Sequence, residues 1–300
     1  MSDFTQLALI GPTASGKSAL ALKVAEKINA FILSLDSLSI YKEIDIVSAK
    51  PSKEERALIT HFGIDHLSPD EPFDVTLFMR LYQDVAKRCR QEGKNLVIVG
   101  GTSFYLKALM EGISQRPALT EAQKEKISLQ MRKVQETYTI LHSLDALYMQ
   151  RIMPQDTYRI QKALEIYLAT GEKPSDYFAA HPPSPLIVDP LPIYEIVWER
   201  EELRARIRQR TEQMLQEGLI DEIIMLERNY TRAPNCMKAI GIKETLMYLD
   251  GLYGKKMLIE KIAINTGRLA KRQVTFNSSQ FENVTKDTLE GLEKRLLRGL

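Results

Sequence analysis

At 300 residues the chain passes the roughly 250–300 at which one hydrophobic core stops growing, so one large domain plus a lobe is expected. Its 44% hydrophobic and 27% charged residues exclude disordered, collagenous and coiled-coil classes, and 41 basic against 39 acidic residues leave a net charge of only +2. A nucleic-acid partner therefore has to be met by a local basic face rather than a global field.

The opening segment, Met1-Ser2-Asp3-Phe4-Thr5, has no basic stretch followed by an apolar one, so no secretory leader is expected. Gln6–Ile10 is a short apolar run ended by Gly11-Pro12, which predicts a buried strand, and Ser18 to Ile28 carries helical periodicity. Ala30 to Leu35 predicts a second strand, stopping at Asp36-Ser37. A helix over Phe78 to Gln91, capped by Gly93, leads to a third strand at Asn95–Val99, which stops at Gly100-Gly101. Strands alternating with helices mean βαβ units and a mainly parallel sheet. From Leu119 to Gly171 only helical stretches occur, and a proline-rich connector follows through His181-Pro182-Pro183-Ser184-Pro185, Pro190 and Pro192. Ile193 to Trp198 resumes as a strand, and long helices are predicted over Glu201–Glu217 and about Lys255–Thr275. The division expected is an α/β core (1–115), an all-helical insertion (116–190) and a return to the core (191–300). No apolar run approaches the roughly 20 residues of a membrane span, so no membrane partner is expected. Cys89 and Cys236 supply neither a disulfide framework nor a four-ligand zinc site, which fits a reducing cytoplasm.

Gly11-Pro12-Thr13-Ala14-Ser15-Gly16-Lys17-Ser18 matches Gly, four residues, then Gly-Lys-Ser/Thr, and sits between a strand and a helix as that phosphate-loop pattern requires. Its backbone N–H groups would curl around an anion at a helix N-terminus. Lys17 would reach the terminal phosphates and the Ser18 hydroxyl would hold Mg²⁺. The core is thus expected to be P-loop NTPase-like, a parallel sheet flanked by helices. The Leu96–Val99 strand ends in Gly100-Gly101-Thr102 without the carboxylate that motor ATPases and GTPases place there, and no guanine-reading Asn-Lys-x-Asp is present. The carboxylate is instead Asp36, at the carboxyl end of the second strand where open α/β sheets bind ligands. It is placed to take a proton from an acceptor beside the loop; the competing reading is a turn cap shared with Ser37.

Gly11–Ser18, Asp36-Ser37-x-x-x-Tyr41, Ala49-Lys50-Pro51 and Val99-Gly100-Gly101-Thr102 together resemble the tRNA dimethylallyltransferase (tRNA isopentenyltransferase) family, short bacterial form. The resemblance continues through Arg159-Ile160-Gln161-Lys162-Ala163-Leu164-Glu165, Arg206-Ile207 with Arg210 and Met214, Ala239-Ile240-Gly241 and Ala270-Lys271-Arg272-Gln273-x-Thr275, spanning roughly residues 6 to 276. Departures are Ser39 where Gln is usual, Val47-Ser48 for Gly-Thr, Tyr158-Arg159 for paired arginines, Gly267 between Thr266 and Arg268, and Phe276 for Trp.

The resemblance implies transfer of a dimethylallyl group from dimethylallyl diphosphate to the exocyclic amine (N6) of the adenosine 3′ of the tRNA anticodon, position 37, with Mg²⁺ as cofactor. The phosphate loop then binds the donor diphosphate rather than ATP. Lys17 and Arg206 would stabilise the leaving diphosphate, Asp36 would act as general base, and Thr102 would position the acceptor amine. The same resemblance implies tRNA contacts at Asp36, Ser37, Leu38, Ser39, Thr102, Arg159, Ile160, Gln161, Lys162, Ala163, Lys271 and Arg272, with the base flipped out of the anticodon loop. The arginines from Arg200 to Arg210 offer a basic surface for RNA, although without the resemblance the run reads rather as a solvated helix face paired with Glu199, Glu201 and Glu202. His61 and His66 lack further ligands for a metal pair, and the cysteines lack a histidine partner. Competing activities are a P-loop kinase acting on a small molecule, prenylation of free adenine nucleotides, and a non-catalytic RNA-binding protein. A monomer is expected, since no feature calls for a dimer.

Overall fold

The computed structural model describes residues 4–299; Met1–Asp3 of the opening segment and Leu300 lie outside the described residues. Among the described residues the chain divides into two compact units, one from the residues up to Met110 together with those from Leu186 onward, the other Glu111–Pro185.

The first unit is built on β1 (Gln6–Ile10), β2 (Ala30–Ser34), β3 (His61–Phe62), β4 (Asn95–Gly100), β5 (Ile193–Ile196) and β6 (Thr285–Asp287). They form one sheet of order β3-β2-β4-β1-β5-β6, with every pairing parallel. The helices along the chain are α1 (Lys17–Lys27), α2 (Lys53–Leu58), α3 (Val75–Glu92) and α4 (Ser103–Glu111), then α5 (Glu121–Met131), α6 (Val134–Leu144), α7 (Ala146–Met149), α8 (Thr157–Thr170) and α9 (Pro174–Ala180). After β5 come α10 (Arg200–Gln216), α11 (Leu219–Tyr230), α12 (Ile242–Leu249), α13 (Lys255–Gln280) and α14 (Leu289–Gly299).

The central strands read as unbroken apolar runs because both faces of the sheet are covered. Ala8, Ile10, Leu33, Leu96 and Ile98 pack on one side with Phe78 of α3 and Leu106 of α4. Leu7, Leu9, Ile32, Val97 and Val99 pack on the other with Leu20 and Val24 of α1 and Leu292 and Leu296 of α14. Asp74 starts α3 by accepting the Leu77 N–H at 2.9 Å, and Gly93 ends it in the left-handed conformation, as its sequence position predicts.

The register decides where the site falls. Val97 at the centre of β4 stands opposite Leu7 of β1 and Ile32 of β2, so three adjacent strands end at the same edge. The phosphate loop, Asp36 and Gly101-Thr102 leave from those ends. This is the crevice at the carboxyl ends of the strands where ligands of open α/β sheets bind.

The second unit, read as an all-helical insertion, contains α5 to α9 and no strand among its described residues. Ile127, Leu141, Met149, Ile160 and Leu164 make its own apolar core. Asp145 ties two of its helices together: its carboxylate accepts Tyr148 N–H at 3.0 Å and Ser175 N–H at 2.7 Å.

The strands β3 and β6 escape a sequence reading. His61-Phe62 and Thr285-Lys286-Asp287 are too short and too polar to show a strand pattern, and each is an edge strand completed by its neighbour. Helix α13 also runs five residues beyond Thr275, to Gln280.

Candidate active site

Gly16 opens α1 in the left-handed conformation (φ 92°) that a glycine adopts without strain, which turns the loop from β1 into the helix. Two side chains hold the outer surface of this loop. Trp198 Nε1 donates to Ser15 O at 3.0 Å and Arg206 Nε donates to Ala14 O at 2.9 Å, with the guanidinium stacked 4.4 Å from the Trp198 ring centre. Lys17 is buried and its Nζ donates to Pro12 O at 2.6 Å. Burial is the main cause that brings its pKa down to about 7; the Arg210 charge pushes the same way and Asp36 opposes it.

A cavity of about 450 Å³ opens beside the loop, lined among others by Lys17, Ser18, Asp36, Thr102, Arg210 and Gln273. A second, of about 550 Å³, shares Thr13, Asp36, Ser37, Leu38, Ser48 and Arg210 with the first and continues past Cys236, Lys238 and Ala239. Asp36 therefore stands where two cavities meet. Its Oδ1 accepts N–H groups from Leu38 at 2.7 Å and Ser39 at 3.2 Å. The turn cap and the site carboxylate are one residue doing both: one oxygen fixes the side chain and the other has no hydrogen bond to the described residues. Thr102 reaches the cavity at the start of α4, where its N–H donates to Leu35 O at 2.9 Å, tying the end of β4 to the end of β2. The next residue, Ser103, is buried in the same wall with a hydroxyl that no other described group bonds.

The segment from Tyr41 to Pro51 contributes to the lining of both cavities. Glu222 of α11, itself buried, accepts three consecutive N–H groups from Asp45, Ile46 and Val47 at 2.9, 2.7 and 3.0 Å. Lys50 Nζ, with its side chain only 2% exposed, donates to Tyr41 O at 2.7 Å and to Asp45 and Asp65 carboxylates at 2.6 Å each. Arg56 completes the pair with Asp65. Partial burial alone would raise the Asp65 carboxyl, but the hydrogen bonds and charges of Lys50 and Arg56 outweigh it and hold the carboxyl below its ordinary range.

The arginines of α10 divide by helical phase. Arg204 and Arg208 are exposed and pair with Glu201 and Glu212, the solvated-face reading. Arg206 and Arg210, four residues apart and on one face, turn inward. Arg206 braces the phosphate loop from behind, whereas Arg210 lines both cavities and its charge couples to Asp36 and Lys17. Arg210, which the sequence names in the Arg206-Ile207 segment without giving it a part in the chemistry, is thus the arginine that meets the cavity; its spacing from Arg206 is the available signal. On α13, Leu269, Arg272, Gln273 and Phe276 form one helical stripe along the first cavity, while Lys271 is exposed beside it. In the helical unit Arg159 is exposed and pairs with Asp156, and Gln161 and Lys162 both bond Glu165. Ile160 and Ala163, expected as RNA contacts, are instead wholly buried at 0% exposure; their side chains build the core of α8.

Both cysteines are structural: Cys89 Sγ donates to Asn95 O at 3.7 Å and burial pushes its thiol up to about 11, while Cys236 Sγ donates to Pro69 O at 3.2 Å. Among the described residues no group of three or more His, Cys, Asp or Glu could cage a metal. A hard cation here would take the Ser18 hydroxyl and complete its shell with phosphate oxygens and water, the usual manner of holding Mg²⁺, and the residues present fit that mode.

Comparison with known proteins points the same way. Residues 39–280 match the family model described as IPP transferase. A tRNA dimethylallyltransferase of Sulfurovum sp. is 63% identical over 98% of both chains, and one from Sulfurimonas denitrificans is 51% identical over 99% of both. Among solved structures, a tRNA isopentenylpyrophosphate transferase of Bacillus halodurans superposes with a TM-score of 0.70 at 28% identity, covering 99% of this chain and 95% of its own. A eukaryotic dimethylallyltransferase acting on tRNA gives a TM-score of 0.83 at 25% identity, covering 97% of this chain and 76% of its own.

Proposed function

The chain belongs to the IPP transferase family and is a tRNA-prenylating enzyme that modifies adenosine; from that premise we propose how the cavity carries out the transfer. The donor is dimethylallyl diphosphate, its diphosphate on the phosphate loop, and the acceptor is N6 of the adenosine 3′ of the anticodon, position 37. The observation that carries this reading is the meeting of two cavities at Asp36, in a lining that the first cavity shares with Lys17 and Thr102.

The acceptor amine attacks the first carbon of the dimethylallyl group. The carbon–oxygen bond breaks and its electron pair leaves with the diphosphate. Lys17, whose pKa is brought down to about 7 chiefly by burial, has its charged form stabilised as that anion gathers charge, and Arg210 faces the same space. Arg206 serves from outside by fixing Ala14 O. Asp36, held by two backbone N–H groups, takes the proton that N6 releases, a contribution of about 10²–10⁴-fold. Thr102 orients the amine toward that oxygen. The Ser18 hydroxyl would hold Mg²⁺, which when bound would supply Lewis-acid stabilisation of the leaving group. The base must leave its stack to reach Asp36, which accounts for a second cavity on the far side of that residue. Exposed Arg159, Lys271 and Arg272 supply backbone contacts, and the enzyme acts as a cytoplasmic monomer.

The test mixes enzyme, Mg²⁺ and dimethylallyl diphosphate with unmodified tRNA bearing adenosine 3′ of the anticodon, and in parallel with AMP, ADP or ATP. Nucleoside mass spectrometry should find prenylated adenosine in the tRNA alone. Prenylated free nucleotide would reassign the acceptor, and phosphate transfer from ATP to a small alcohol would replace the reading with a kinase.

A further inference from the structure

One residue of the cavity joins its two chemically different ends. Gln273 of α13 accepts Thr13 N–H on Oε1 at 2.9 Å and donates from Nε2 to Gly101 O at 3.1 Å. Thr13 belongs to the phosphate loop after β1, and Gly101 precedes Thr102 after β4. These partners lie 260 and 172 residues away in sequence and share no other side-chain bridge given by the described residues. The primary amide suits the task because one rigid plane both accepts and donates, so each backbone group receives the partner it lacks. Gly101 makes room for it: a Cβ at that position would collide with the Gln273 amide. Both polar ends of Gln273 are spent inside the protein, unlike its exposed neighbours Lys271 and Arg272.

We propose that Gln273 is a positioning residue for prenyl transfer, setting the spacing between the donor's phosphate loop and the acceptor end at Thr102 through Thr13 N–H and Gly101 O. This rests on the tRNA-prenylation reading above. In-line displacement needs nucleophile and carbon held within about 3–3.5 Å, and a misplacement of about 1 Å can cost roughly 10²-fold in rate. The brace governs that distance through backbone groups, both polar atoms of its amide being taken up by the protein.

The test is steady-state and single-turnover prenylation of tRNA by full-length Gln273→Met, which keeps shape and loses both hydrogen bonds, and by Gln273→Glu, which keeps the acceptor for Thr13 N–H but loses the donor to Gly101 O. Thermal melting accompanies both, and the Glu variant carries the test if the Met variant melts early. The expected result is kcat lowered at least roughly tenfold and up to about 100-fold in both, with tRNA Kd and the KM for dimethylallyl diphosphate near wild type. Unchanged kcat overturns the proposal. So does a loss seen only in tRNA Kd, which makes Gln273 an RNA contact. A wild-type enzyme that leaves tRNA unmodified overturns the prenylation reading and the proposal with it, whereas wild-type activity alongside undiminished variants overturns the proposal alone.

Discussion

The cavity of the α/β unit and the outer surface of the helical unit handle charge in opposite ways. In the α/β unit the charged groups of the cavity are drawn inward and held by backbone: Lys17 by Pro12 O, Asp36 by two N–H groups, Glu222 by three, and Lys50 by Tyr41 O. In the helical unit the pairs Arg159–Asp156, Lys124–Glu121 and Lys133–Glu136 lie on the surface between residues three apart on a helix. Exposed pairs of this kind contribute roughly 0.2–1 kcal/mol at most, while groups fixed in a water-poor cavity act on developing charge far more strongly. Substitutions in the first unit should therefore register in the chemical step, and those in the second in stability or in RNA affinity.

The sharpest way to break that contrast is Asp36→Ala, expected to cut turnover at least about 100-fold while tRNA still binds; near-normal turnover would remove the base from the mechanism. Next, Arg210→Ala is expected to lose roughly 100-fold in kcat, and Arg206→Ala only a few-fold, because Arg206 meets the loop from behind. A reversed order in parallel assays would return the leaving-group role to Arg206. In the helical unit, Leu164→Ala should lower stability by about 2–5 kcal/mol in denaturant unfolding and leave single-turnover rates on saturating tRNA intact. Acid should find the cavity wall. Asp65 titrates lower folded than unfolded, so its contribution is present above about pH 4 and disappears as pH falls through the depressed value. Acid melts of Asp65→Asn should accordingly show a shallower decline than wild type. The smallest change is expected for Arg159→Ala: stability within about 0.5 kcal/mol of wild type, with a salt slope of tRNA binding shallower by about one.

Much of the site was legible because its parts are local. The phosphate loop, Asp36-Ser37 and Gly100-Gly101-Thr102 each sit at the end of an apolar run, and parallel strands bring such ends to one edge. Arg210 and Gln273 were harder to see, since each enters from a long helix whose inward face shows only once its partners are known. The basic run of α10 carries two helical phases in one stretch of letters, with Arg204 and Arg208 outward and Arg206 and Arg210 inward. Ile160 and Ala163 erred in the other direction: a motif was read as a continuous surface, although a helix can expose only some of its positions.

Glu222 has a consequence for how the wall moves in time. Asp45, Ile46 and Val47 belong to no helix or strand, yet their N–H groups end on a carboxylate that is almost entirely screened from water. Their amide protons should exchange with deuterated solvent as slowly as those of the helix that holds them. This stretch should accordingly resist proteases that cut surface loops, opening only when α11 itself lets go.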